Sequence, residues 1–109
     1  MPRGEEAVVD PRKLTEYVLS PTHPRGRHKA RVFEAALGLV IKDAPVLRAA
    51  LLKAAAESEA APTVLDDHGQ RYQIEFQFQF ERRSATIVSA WLQPSDQGPP
   101  RLLTLFLRP

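Results

Sequence analysis

Polar and apolar residues alternate without interruption over residues 71–80, whereas the apolar residues of the first half recur at helical spacing. Alternation with a period of two predicts a strand with one buried face. The apolar face holds Tyr72, Ile74, Phe76, Phe78 and Phe80. The opposite face is rich in amides and faces either solvent or a polar ligand. Further strands are predicted at residues 63–66, 84–92 and 102–107, and the middle one lacks alternation, which is typical of a central strand.

The first half predicts three helices. Asp10 and Asp43 are predicted N-caps of the first and third helices, and Gly38 is a natural end for the second. Pro21 and Pro24 stop the first helix because they remove backbone donors and force their neighbours into extended conformations. The predicted helices span residues 11–19, 26–37 and 44–58.

This order of elements predicts an α+β fold. Short turns between consecutive strands, such as residues 67–70, imply antiparallel pairing. Two to three N-terminal helices then pack on a four-stranded antiparallel sheet, because a sheet must bury one apolar face. We expect residues 1–9 to form a flexible arm and residues 10–109 to form a single domain.

The composition is that of a soluble globular protein. The chain has 109 residues and no cysteine, which excludes disulfides and thiolate chemistry. It shows neither the apolar run of a signal peptide nor a membrane-length apolar stretch, so we expect a cytoplasmic protein with no membrane partner. The net charge is only +2, and arginine, alanine and proline are all abundant, as in proteins from GC-rich genomes.

Residues 23–31 form a local basic segment with two histidines, three arginines and one lysine. Acids are absent between Glu16 and Glu34. Positive charge at the start of a helix opposes the helix dipole, and such a locally unfavourable choice often marks a site for an anion such as phosphate. Lys29 falls within the apolar stripe of its helix, so its ammonium must extend outward or meet a partner.

Four short motifs resemble a family of small bacterial proteins classed as a domain of unknown function. The family pattern is approximately His-Pro-x-Gly-x-x-Lys-Ala, Gly-x-x-Tyr, Thr-x-Trp and Pro-Arg-Leu-x-Thr. In this chain the matching segments are residues 23–30, 69–72, 89–91 and 100–104. Ser89 departs from the usual threonine. The resemblance implies a fold similar to that of ribonuclease toxins such as barnase and the colicin-type and RelE-type nucleases, with a small antitoxin-like protein as partner.

That resemblance implies metal-independent cleavage of RNA. Such cleavage needs a base, an acid and cations that stabilise the phosphorane charge. The implied catalytic residues are His23, Lys29 and Thr104. The implied substrate-binding residues are Arg25, Arg27, His28, Arg31, Ser89 and Arg101. We expect neither a metal nor another cofactor, because the adjacent residues Asp66, Asp67 and His68 do not have the spacing of metal ligands.

The alternative is a non-catalytic module that binds nucleic acid or protein, or a structural accessory domain. Phosphate contacts alone would account for the basic segment in a binding module. Geometry separates the hypotheses. Convergence of His23 and Lys29 in one cleft with Thr104 or Arg101 favours an enzyme, whereas a flat basic surface favours a binding module.

Overall fold

Three helices precede a four-stranded sheet in the computed structural model, which describes residues 1–109. This architecture confirms the predicted α+β fold. The helices are α1 (Pro11–Lys13), α2 (Arg27–Leu37) and α3 (Ala44–Glu57). The strands are β1 (Ala61–Asp66), β2 (Gly69–Phe80), β3 (Arg83–Pro94) and β4 (Arg101–Leu107). No helix combines the length and the apolar character needed to cross a membrane.

The sheet is an antiparallel meander in the order β1-β2-β3-β4. β2 and β3 pair along their full length, from Gly69 opposite Pro94 to Phe80 opposite Arg83. β3 is hydrogen-bonded on both sides, as its lack of alternation predicts. Pairing of β3 with β4 shifts register between Ala90 and Trp91, which leaves Leu103 as an extra residue in β4.

The helices bury one face of the sheet. Phe33 and Leu51 from the helices join Ile74, Phe78 and Trp91 from the strands in one core cluster. Phe76 packs against that cluster but is only half-buried. On the opposite face, Glu75, Gln77 and Gln79 are exposed, so the predicted alternation assigns the two faces correctly.

Residues in the segment 1–9, which the sequence predicts as a flexible arm, contact the rest of the domain. The Val8 N–H donates to the Pro100 carbonyl at 2.8 Å, and the Val8 carbonyl accepts from the Leu102 N–H at 3.0 Å. Val9 is fully buried in the core cluster. The segment therefore extends the free edge of β4, which short-range sequence patterns do not reveal.

Residues 14–18 form a wider turn than the α-helix predicted for residues 11–19. After α1 the chain continues as one π-helical turn, Leu14–Val18, closed by the Leu19 N–H donating to the Leu14 carbonyl at 2.8 Å. Asp10 caps α1 as predicted, since its carboxylate accepts from the Arg12 N–H at 3.0 Å.

The predicted capping of α3 by Asp43 is wrong. The Asp43 carboxylate accepts from the Val40 N–H at 3.0 Å, across the short 3-10 turn Ile41–Asp43, and makes no capping bond to α3. The physical reason is that this turn lies directly before α3, so the side chain bonds backward and not forward. Pro45 lies in the first turn of α3 as expected.

Candidate functional site

His23 organises the start of α2. Its Nδ1 atom accepts hydrogen bonds from the backbone N–H groups of Arg25, at 3.0 Å, and Gly26, at 2.9 Å. These donors precede the helix and would otherwise lack partners. A ring nitrogen that accepts hydrogen bonds carries no proton, so the neutral imidazole holds its proton on Nε2. His23 therefore presents an N–H donor at its other ring edge.

Gly26 lets the start of α2 approach the π-helical turn closely. A Cβ atom at this position would lie 2.0 Å from the Tyr17 carbonyl oxygen, a distance that no side chain tolerates. The Tyr17 ring in turn meets the His23 ring edge to face, with centroids 4.7 Å apart. The glycine of the His-Pro-x-Gly motif thus has a packing reason, and it brings Tyr17 beside His23.

Lys29 reaches the edge of β4. Its Nζ donates to the Thr104 Oγ1 at 2.7 Å and to the Leu105 carbonyl at 3.0 Å. The ammonium also lies 5.9 Å from the centroid of the Tyr17 ring, within the range of a cation–π interaction. Partial burial lowers the pKa of Lys29 from its ordinary value of 10.5, because desolvation disfavours the charged form. An ammonium has three N–H donors, so one stays available to a ligand.

A groove of about 520 Å³ lies between the first helical segment and β4. His23 and Thr104 both line the groove. Lys29 is not among the lining residues, but its Nζ donates a hydrogen bond to the lining residue Thr104. The remaining lining residues come from two segments: Asp10, Arg12, Lys13, Glu16, Tyr17 and Val18, and Leu102, Leu103 and Leu105. The groove therefore carries both positive and negative side chains beside an aromatic ring.

The two carboxylates of the groove have different surroundings. Asp10 is paired with Arg12, whose Nη2 lies 2.9 Å from its Oδ2. That hydrogen bond from the guanidinium, with the Arg12 backbone N–H, lowers the pKa of Asp10. Glu16 is exposed and has no hydrogen bond or ion pair from any side chain. One free carboxylate consequently faces the groove.

Of the three predicted catalytic residues, His23 and Thr104 line the groove, and Lys29 lies outside its lining but donates to Thr104. The predicted substrate-binding residues lie elsewhere. Four of them are exposed on or just before α2 and do not line the groove: Arg25, Arg27, His28 and Arg31. Arg31 instead borders a separate cavity of about 330 Å³. Arg101 is exposed at the start of β4, also outside the groove lining.

Ser89 is not accessible to a substrate, contrary to the expectation from its motif. The residue is fully buried on β3. Its hydroxyl donates to the Ile74 carbonyl at 3.1 Å and accepts from the Trp91 Nε1–H at 2.9 Å. The Ser-x-Trp motif therefore joins two core side chains within the sheet.

Tyr17 and Glu16 are site residues that the sequence alone does not single out. Their segment has the pattern of an ordinary amphipathic helix. It is far from β4 in the chain, so the sequence does not indicate that the two segments form a groove. The available signal is the interruption of that helix by residues 20–24, which forces the chain to turn back. No group of three or more histidine, aspartate or glutamate side chains is placed to hold a metal ion.

Comparison with known proteins gives a family and a fold. The sequence pattern of a family described as a domain of unknown function (DUF6883) matches residues 1–109, so the chain belongs to this family. No curated protein matches the sequence. One solved structure, "Contact-dependent growth inhibition toxin - immunity protein complex from Klebsiella pneumoniae 342", is similar with a TM-score of 0.70 and 21% identity. The match covers 93% of this chain and 99% of that one, and at this identity it establishes a shared fold.

Proposed function

We propose that this member of the DUF6883 family is a toxin-type ribonuclease that cleaves RNA without a metal cofactor. The observation that carries the proposal is the hydrogen bond between Lys29 and Thr104 beside His23, at one groove. Side chains from a loop, a helix and a strand converge there. Convergent polar groups with a desolvated titratable residue are characteristic of catalytic sites.

Each of the three side chains has a distinct role in the proposed reaction. The Lys29 ammonium stabilises the charge of the phosphorane and donates a proton to the leaving oxygen, and its lowered pKa makes that transfer easier. Thr104 accepts from Lys29, so its own hydroxyl proton is free to bond a phosphate oxygen. His23 donates from Nε2, because Nδ1 already accepts two backbone N–H groups.

The exposed arginines before and along α2 hold the RNA backbone in this proposal. Arg25, Arg27 and Arg31 are exposed and form no ion pair within the chain. Guanidinium groups suit bidentate contacts with phosphate. Each contact should contribute about −0.7 to the slope of log affinity against log salt for single-stranded RNA. The Arg27→Ala variant should reduce that slope without changing sequence preference.

A small antitoxin-like protein is the proposed protein partner. The structurally similar protein is described as a complex of a toxin with an immunity protein, which is consistent with such a pairing. We place this chain on the toxin side because its donors converge at one groove, which an inhibitor does not require. A partner that covers the groove would block cleavage by excluding RNA.

The test is incubation of the purified protein with total bacterial RNA in the presence of a chelator, with fragments separated on a denaturing gel. Wild type should cleave the RNA, and Lys29→Ala and Thr104→Val should lose most of that activity at matched folding. Lys53→Ala, which removes an exposed lysine from α3, is the charge-matched control and should cleave normally.

Intact RNA with wild-type protein would contradict the ribonuclease proposal. If the same protein nevertheless binds RNA with a salt-dependent affinity, the alternative of a non-catalytic nucleic-acid-binding module becomes the better account. The exposed amide face of β2 would then be the next surface to test for a protein partner.

A further inference from the structure

The proposed cleavage requires a base that removes the proton of the ribose 2′-hydroxyl. His23 does not fill this role in the observed geometry. Its Nδ1 lone pair is already engaged by the Arg25 and Gly26 N–H groups, and its Nε2 holds the ring proton. Lys29 donates to Thr104 and Leu105 and is the proposed proton donor. The base must therefore come from another residue of the groove.

Asp10 is occupied by other interactions. Its carboxylate caps α1 through the Arg12 N–H and pairs with the Arg12 guanidinium at the same time. A carboxylate held by three hydrogen bonds is a weak base, and the pKa of Asp10 is lowered accordingly. Glu16 is the other carboxylate of the groove and makes no such bonds.

Resting on the proposed function, we infer that Glu16 is the general base of the groove. It lies in the π-helical turn Leu14–Val18, one residue before Tyr17, whose ring contacts both His23 and Lys29. Single π-helical turns within helices are frequent at functional sites, because they redirect side chains that a regular helix would present elsewhere. The turn thus brings a carboxylate to the same groove as the donors.

The proposed step balances with these groups alone. Glu16 takes the proton of the 2′-hydroxyl while the 2′ oxygen forms a bond to phosphorus. The bond between phosphorus and the 5′ oxygen breaks, and that oxygen takes a proton from the Lys29 ammonium. The products are a 2′,3′-cyclic phosphate and a free 5′-hydroxyl, and the two side chains regain their protonation states by exchange with water.

Several other charged or titratable groups line the groove with Glu16. Asp10, Arg12 and Lys13 reach the groove from the α1 segment, and His23 reaches it from the loop before α2. The charge of Glu16 contributes to the raised pKa of Arg12, after the larger effects of Asp10. β4 contributes apolar residues and Thr104 to the groove but no ionisable side chain.

The test is the pH dependence of the initial cleavage rate with total bacterial RNA at low concentration, for wild type, Glu16→Gln and Glu16→Asp. Glu16→Gln should lose about 100- to 10,000-fold of the rate at neutral pH, the usual contribution of a general base. It should also lose the decline of the rate on the acidic side, and Glu16→Asp should restore part of both. Glu59→Gln removes an equal charge at an exposed position and should behave as wild type.

The outcomes separate the two proposals. Wild type that cleaves RNA together with a Glu16→Gln variant that keeps the rate and the acidic decline would overturn the role of Glu16 and leave the ribonuclease intact. Wild type without any cleavage would overturn both. If Glu16→Gln unfolds, as judged by circular dichroism, Glu16→Ala takes its place in the comparison. A folded Glu16→Ala variant with the rate and pH profile of wild type would refute the inference, and so would a Glu16→Asp variant that is no more active than Glu16→Ala when both keep the wild-type rate.

Discussion

Lys29 and Thr104 are 75 positions apart in the chain, yet the lysine Nζ donates to the threonine hydroxyl at 2.7 Å. The bond links α2 to the edge of β4. It also explains how a lysine is accommodated on the apolar stripe of a helix, because the ammonium donates to two oxygen acceptors on β4.

Thr104→Ser should retain most of the proposed cleavage, whereas Thr104→Val should lose it. Valine has the shape of threonine but lacks the hydroxyl that accepts from Lys29 and, in the proposed reaction, donates to phosphate, whereas serine keeps the hydroxyl and lacks only the methyl group. The loss should be about 10- to 1,000-fold if the hydroxyl stabilises developing charge. Cleavage rates are measured on total RNA, and a folded Thr104→Val variant with the wild-type rate would show that the hydroxyl has no part in cleavage.

Lys29 should make the stability of the protein depend on alkaline pH. Its pKa in the folded state lies below 10.5, so in the window between the two values the unfolded chain binds more protons. Wild type should therefore gain stability relative to Lys29→Met as pH rises through this window. Urea denaturation of both proteins at several pH values measures the difference. A difference that stays constant with pH would contradict the lowered pKa.

His23 variants should separate capping from catalysis. His23→Ala removes the acceptor of two backbone N–H groups and should lower the free energy of unfolding by about 1 kcal/mol. His23→Asn supplies another acceptor at the same place and should recover part of that stability while lacking the Nε2 donor. Thermal melts and RNA cleavage, measured side by side, distinguish the two effects. Full cleavage by a well-folded His23→Asn would remove His23 from the proposed mechanism.

Gly26→Ala should destabilise the protein by about 1–3 kcal/mol, the usual cost of overpacking. Its Cβ would meet the Tyr17 carbonyl at 2.0 Å, so α2 and the π-helical turn must separate. Because this contact also positions Tyr17 against His23, cleavage should fall together with stability. Gly98→Ala changes a glycine in the loop before β4 and serves as a comparison in denaturation experiments. A Gly26→Ala variant as stable as wild type would refute the close packing.

Ser89→Ala should destabilise the fold by about 1–3 kcal/mol and leave the affinity for RNA unchanged. The substitution removes the acceptor of the buried Trp91 Nε1–H, and an unsatisfied buried donor carries that cost. Ser89→Thr retains a hydroxyl and should cost less if its methyl group fits. Chemical denaturation and RNA titration measure the two effects, and a selective loss of RNA affinity would restore a substrate-binding role for Ser89.

Local patterns in the sequence determined the type and order of the elements. The alternation of residues 71–80 identified the two faces of β2, and the lack of alternation over residues 84–92 identified a central strand. The stripe containing Phe33 predicted the buried face of α2 and the unusual position of Lys29. These features depend on periodicity, which is a property of neighbouring residues.

Only the tertiary structure decided which distant residues meet. The packing of Val8 and Val9 beside β4, the burial of Ser89 and the convergence of Glu16 and Tyr17 on the groove all depend on contacts between segments far apart in the chain. The sequence did not predict the π-helical turn either, because its residues have ordinary helical spacing. In the structure, this turn packs against Gly26, which lies outside the predicted helix. Periodicity predicts which face of an element is buried; the register and approach of one element against another determine which side chains share a site.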